Sequence, residues 1–360
     1  MPRLKRRIKE ILCILLGLWI LVPTGASAQE EQKPTGEPIP QETEEKPLPA
    51  EDRREEAAKE TVETILIQEG GVLYPKNTLV IEPGFNYTHF SRNLISISGF
   101  TVFEAIVIGT IGVEDIDRDI LTSSLSFLYG ISDRLQFALE IPYLYRHDNV
   151  VPTAETGASQ RDRTIEANDF GDIEAGFFAH VSRARGWRPD VILNLRWNFR
   201  TGEDPYGLDT EEVEGKIILK ELPTGSGHNG LSGGFTLVKA ADPVVFFGTG
   251  SYFWNIERHV GGDFGEIDPG DSVEYILGMA TALSEKISLS LSFQNVITDD
   301  TTQDGSSIPG SGTNAATAFL GTSYRISKDV SVFASVGLGL TEDSPDFQLE
   351  IRVPISFSLF

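Results

Sequence analysis

From Ile287 to Phe293 every odd residue is large and apolar (Ile287, Leu289, Leu291, Phe293), and Ser288, Ser290 and Ser292 fill the even positions. Successive side chains of a strand point to opposite faces, so this segment has one oily side and one wet side. The pattern recurs. Val191, Leu193, Leu195, Trp197 and Phe199 oppose Asn194, Arg196, Asn198 and Arg200, and Val330, Val332, Ala334, Val336, Leu338 and Leu340 oppose Ser331, Ser335, Gly337 and Gly339. Strands in soluble proteins are usually about five or six residues long. Several here run about ten, the length that crosses a bilayer as a tilted strand. Beyond residue 28 no stretch approaches the roughly 20 apolar residues of a spanning helix. Insertion then requires a closed sheet, because no backbone polar group can be left unpaired in lipid. The expectation is all-β: an antiparallel, up-and-down transmembrane β-barrel in a Gram-negative outer membrane.

The N-terminus is consistent with that address. Arg3, Lys5, Arg6, Arg7 and Lys9 precede an apolar run from Ile11 to Val22, Pro23 interrupts it, and Ala26-Ser27-Ala28 supplies small residues for cleavage after Ala28. Residues 1–28 are thus expected to be a signal peptide. It contains Cys13, the chain's one cysteine, so the mature chain would have no disulfide and no cysteine-ligated metal. The formal charge is −23, and losing five basic residues and one acidic one makes the mature chain four charges more acidic. Such acidity argues against nucleic acid as a partner. It suits external loops bridged to lipopolysaccharide by divalent cations, and it also suits simple solubility.

Residues 29–50 are rich in Pro and Glu and nearly free of large apolar residues, which predicts an extended periplasmic segment without a core. Residues 51–70 have helical spacing, with Ala58, Val62, Ile65 and Leu66 on one stripe and Gly70-Gly71 as a stop. Such a helix could enter the lumen as a plug, form a short coiled coil, or lie as an amphipathic helix in the periplasm. The barrel is expected over 72–360, with strands at 77–90, 120–131, 135–147, 170–183, 189–201, 231–241, 244–257, 271–284, 287–298, 314–327, 330–341 and 346–360. Short connections alternate with long ones around 148–169, 202–230, 258–270 and 299–313. Short turns belong in the periplasm and long loops outside. Twelve strands keep both ends in the periplasm. The apolar stretch 91–119 could add a hairpin to give fourteen, or fold inward. The last strand ends on Phe360, which resembles the terminal signal read by the barrel-assembly machinery, although it falls on the polar face.

The alternation points Glu82, Glu140, Arg146, Glu174, His180, Arg196, Arg200, Glu274, Arg325, Glu350 and Arg352 into the lumen, where charge is hydrated. They make either a polar passage whose wall selects the solute, or a lattice of ion pairs filling a narrow barrel. Gly225-Ser226-Gly227-His228-Asn229-Gly230 matches G-x-G-x-x-G, but a dinucleotide site needs a strand before it and a helix after it. Turn glycines are the better reading, and no cofactor is implied. The carboxylate runs at 114–119, 211–214 and 299–304 lack the spacing of a calcium loop, so no metal site is assigned. Five scattered histidines form no catalytic pattern; His147 and His259, near the outer rim, are where a Ser–His lipid hydrolase would sit. Trp187, Trp197, Trp254, Tyr143, Tyr145, Tyr252 and Tyr324 fall near strand ends, as interfacial girdles do.

Leu73 to Pro83, the Tyr129 to Gln136 turn, Ile141 to Arg146, Gly171 to Gly176 and Leu222 to Gly225 resemble a family of bacterial transporter-like barrels associated with the MetA pathway of phenol degradation. The resemblance spans roughly 72–360. It implies an outer-membrane protein that passes aromatic or other hydrophobic small molecules, and it carries over no catalytic residue. The expected function is passive passage of small solutes, with Glu140, Glu174, Arg196, Arg200 and Arg352 setting selectivity. The alternatives are a closed structural or adhesive barrel and, third, an outer-leaflet lipid hydrolase.

Overall fold

A computed structural model describes residues 62–68, 70–91, 96–97, 100–101, 114–152, 163–213, 216–261 and 264–359. Twelve antiparallel strands form the wall: β1 (Thr78–Phe90), β2 (Glu114–Ser132), β3 (Leu135–Pro152), β4 (Ile173–Ser182), β5 (Asp190–Phe199), β6 (Gly230–Ala241), β7 (Val244–Asn255), β8 (Ser272–Ala282), β9 (Ile287–Thr298), β10 (Thr313–Arg325), β11 (Ser331–Gly339) and β12, which runs as Phe347–Arg352 and Ile355–Ser358. Each strand pairs with its sequence neighbours. β12 returns to β1, with Gly84 opposite Arg352 and Leu79 opposite Phe357, which closes the sheet. The break in β12 falls at Val353-Pro354, where proline has no N–H to give the ladder.

The outer face is the apolar one. Leu277, Leu320 and Leu338 are 55–60 % exposed, as are many of their apolar neighbours to a lesser degree, and Trp187, Trp254, Tyr252 and Tyr324 are exposed near strand ends. A surface this apolar belongs against lipid. On the inner face Ser288, Ser290, Ser292, Ser323 and Ser335 are buried. Short serines pack there without closing the lumen.

β2 and β3 run further than the alternation suggested. The ladder continues to Glu114 opposite Pro152, and Arg163–Phe170 adds to β3 where a plain loop was expected. An ion pair holds this projecting hairpin: Arg118 Nε donates to Asp148 Oδ1 at 2.8 Å across the pair, and both side chains are fully buried. Within 92–113 only Ser96–Ile97 and Phe100–Thr101 are described, and they pair with each other outside the wall. Among the described residues the wall therefore has twelve strands. Other external connections carry small ladders of their own, Thr210–Val213 with Lys216–Leu219, and a four-stranded sheet from 258–268 and 302–307.

Residues 62–68 form one short helix, and it stands inside the barrel. Val62, Ile65 and Leu66 pack on Val238, Phe247, Ala280 and Phe333, lumen-facing residues close to the short turns. Gly70, with φ of 67°, and Gly71 close the helix by donating to the carbonyls of Ile67 and Leu66. Glycine is required at 71, since a Cβ there would lie 2.7 Å from Val238 Cγ2. The helix thus occupies the lumen at the end that carries the short turns; residues 51–61 lie outside those described.

Candidate functional site: the lumen

Pairing places Glu82, Ser126, Glu140, Glu174 and Asn198 in one cross-strand row over β1 to β5, all facing inward. Two arginines compensate part of it. Arg196 lies between Glu174, at 3.4 Å, and Glu274, at 4.0 Å, with its guanidinium 5.1 Å from the Phe253 ring centre. Arg352 donates from Nε to Glu350 at 2.6 Å and lies 3.8 Å from Glu82. Gln68 of the helix joins this second group: its Nε2 donates to Glu82 at 2.7 Å and its Oε1 accepts from Arg352 at 3.2 Å. Gln294 donates to Glu274 at 2.6 Å. The result is a cavity of about 500 Å³ with a charged and polar wall, within the range of small-molecule sites.

The helix floors this cavity, and the long connection between β5 and β6 roofs it. Residues 222–228 are all buried, and Thr224, Gly225 and Ser226 line the cavity. The Asp172 carboxylate holds the segment down, accepting from the Thr201, Gly202 and Ser226 amides at 2.7–3.0 Å, from Ser226 Oγ at 2.6 Å and from Asn198 at 3.3 Å. Thr224 Oγ1 donates to the Phe170 carbonyl at 2.9 Å, and Arg146 donates to that of Pro223. The glycines of 225–230 serve close packing: a Cβ on Gly225 would lie 2.6 Å from Asp172 Oδ1, and Gly230 opens β6, with no helix following. His228 is buried with Nδ1 3.0 Å from the Ile256 carbonyl and Nε2 2.8 Å from Tyr206 Oη. That geometry suits the Nδ1–H tautomer, with Tyr206 donating to Nε2. Burial pushes its pKa below the ordinary imidazole value, opposed by the Ile256 hydrogen bond.

Of the inward-facing residues expected from the alternation, Glu82, Glu140, Glu174, Arg196, Glu274, Glu350 and Arg352 meet at this cavity. Arg146 is buried beneath the roof. The other three lie at the ends of the barrel. His180 sits on the bulge before a short turn, 3.0 Å from Asp190. Arg200 follows the end of β5, 4.0 Å from Asp204, and Arg325 donates to the Glu285 carbonyl at a turn. Alternation assigns a face, not a height. It also passed over the neutral members, Gln68, Asn194, Asn198, Thr224, Ser226, Ser251 and Gln294, together with Asp172. His147, at the outer rim, bonds the carboxylate of Glu166 at 3.0 Å instead of a serine.

No protein-family model matches the chain. Solved structures similar to it include an outer membrane channel from Pseudomonas putida F1, with a TM-score of 0.54 and 14 % identity over 79 % of this chain and 97 % of that one. The translocator domain of autotransporter NalP from Neisseria meningitidis follows with a TM-score of 0.41 and 11 % identity, covering 84 % and 98 %. The P. putida toluene transporter TodX has a TM-score of 0.35 and 10 % identity, covering 79 % and 90 %. The first of these supports the fold. The chain is an outer-membrane-type β-barrel.

Proposed function

We propose that this protein is a gated outer-membrane channel for small solutes. The observation that carries the reading is the closed twelve-strand wall around a polar cavity whose floor is a separate helix rather than part of the wall. A barrel filled only for stability would close its lumen with side chains from its own strands. Here the floor hangs on Gln68 and three apolar side chains, and the roof on the Asp172 carboxylate, contacts that can be released without breaking the wall. Glu140, Glu174, Arg196 and Arg352 select the solute at the cavity wall, and Arg200 acts at its outer approach. The resemblance of Leu73 to Pro83, the Tyr129 to Gln136 turn and Ile141 to Arg146 to barrels associated with phenol degradation favours aromatic solutes. Acidic outer loops meet lipopolysaccharide through divalent cations, and the barrel-assembly machinery inserts the chain.

The test is solute flux into liposomes and conductance in planar bilayers, for the mature protein and for a variant lacking residues 29–70. Removing the floor is expected to raise both. A folded, heat-modifiable barrel with no flux in either form would favour the closed structural or adhesive reading, which the helix and roof in the lumen also fit.

A further inference from the structure

The short turn between β4 and β5 differs in charge from the rest of the chain. The whole sequence has 30 basic residues against 53 acidic ones, yet Arg183 to Arg188 holds three arginines and no acid. The first carboxylate after them, Asp190, is engaged elsewhere: it accepts from the Ala184 amide at 2.9 Å and bonds His180 at 3.0 Å. Arg183, Arg185 and Arg188 are all exposed, and among the described residues no ion pair reaches them. Arg185 and Arg188 exchange both backbone hydrogen bonds, at 3.3 and 3.2 Å, so they stand directly opposite each other around Gly186-Trp187. Like charges so placed repel. The flanking short turns add Arg134, Asp133 and Asp242, one cation against two acids, and the excess stays positive. A second observation is independent of charge. Trp187, at the tip of the turn, is 83 % exposed. Lys239 shares the lipid-facing phase of β6 with Phe235 and Leu237, and its Nζ donates to the Gly186 carbonyl. That contact sets the tip over the outer face of the wall, beside the exposed Val181 and Leu193. Trp187 therefore lies where the headgroups of a membrane meet its acyl chains.

We propose that this turn binds the headgroups of anionic phospholipids in the periplasmic leaflet, with Arg185 and Arg188 sharing one phosphate and Trp187 packed on the glycerol and upper acyl region. Guanidinium groups match phosphate oxygens in geometry as well as charge. A phosphate between the two arginines also relieves their repulsion across the turn. A zwitterionic headgroup offers the same phosphate but sets its own ammonium among the cations, which favours the anionic lipid. Short turns belong on the periplasmic side. The site does not depend on whether the lumen conducts.

The experiment is quenching of Trp187 fluorescence by brominated lipid, in phosphatidylcholine vesicles holding the mature full-length protein. Trp197→Phe and Trp254→Phe leave Trp187 as the one tryptophan beyond residue 28. A small fraction of brominated phosphatidylglycerol should quench it at least about fivefold more effectively than the same fraction of brominated phosphatidylcholine, the worth of one cation at a membrane surface. Arg185→Gln with Arg188→Gln should bring the two lipids to parity. The heat-modifiable gel shift reports whether that variant has folded; if it has not, Arg188→Gln alone carries the test, with an expected loss of about two- to threefold. Trp254 lies opposite Leu231, at the other end of the wall. Kept as the one reporter, with Trp187→Phe and Trp197→Phe, it should show no preference. Equal quenching of Trp187 by the two lipids, full selectivity in a folded arginine variant, or the same selectivity at Trp254 would overturn the site.

Discussion

Ile65→Ala should undock the floor of the lumen. Ile65 is fully buried, and it packs with Val62 and Leu66 against Val238, Phe247, Ala280 and Phe333. Truncating a buried isoleucine to alanine costs about 2–4 kcal/mol in lost transfer energy and residual cavity. That cost falls on the docked state alone, because an undocked helix exposes the residue in either sequence. At roughly 1.4 kcal/mol per decade, the undocked fraction rises about 30- to 1,000-fold. Ile65→Val removes one methylene, about 0.5–1.5 kcal/mol, and should shift it only about 2- to 12-fold. The expected order is therefore parent, valine, alanine.

A thiol reports docking directly. Cys13 is the chain's one cysteine, so Val62→Cys in a chain starting after Ala28 places a single thiol at a position 6 % exposed in the docked helix. Its modification by a bulky maleimide, and the conductance of the same preparations, should both rise along the series. The heat-modifiable mobility of the barrel should stay unchanged, since no wall residue is altered. Equal labelling and equal conductance in parent and alanine variant would refute the idea that this apolar seat holds the lumen shut.

Asp172→Ala strips the acceptor from five donors, at least about 3 kcal/mol of charged hydrogen bonding, and should free residues 222–228 for proteolysis while raising conductance. Arg352→Gln leaves Glu82, 4 % exposed, without its guanidinium. Breaking a buried pair costs about 3–5 kcal/mol, and the partial exposure of Arg352 reduces this to about 2; urea unfolding should show the loss, with Glu82→Gln in the same chain restoring part of it. For His228, a folded pKa below the ordinary value means that the unfolded segment binds the proton first. Its contribution is complete above about pH 6.5 and is lost as pH falls through the lowered folded value. The protection factors of residues 222–230, taken against the intrinsic exchange rate at each pH, should therefore fall below about pH 6.5, and His228→Gln should flatten that dependence.

The wall was legible because lipid imposes one rule on every strand, and Ile287 to Phe293 obeys it without exception. The same rule put Glu82, Glu140, Glu174, Arg196 and Arg352 on the inner face. It said nothing about height, so His180, Arg200 and Arg325 shared their parity while lying at the barrel ends. The plug was left open among several readings because its partners break the rule. Val238, Phe247 and Phe333 are apolar residues in the polar phase, each within four residues of a short turn, and Val62, Ile65 and Leu66 pack over them. The roof eluded the reading for a different reason. Gly225 and Gly227 advertised a tight turn, but what pulls that turn inward is Asp172, some fifty residues earlier, whose one carboxylate collects five donors. Periodicity records contact with a uniform solvent. Contacts that one segment makes with another leave instead a local exception, and in this chain the exceptions at Val238, Phe247, Phe333 and Asp172 are where the lumen is closed.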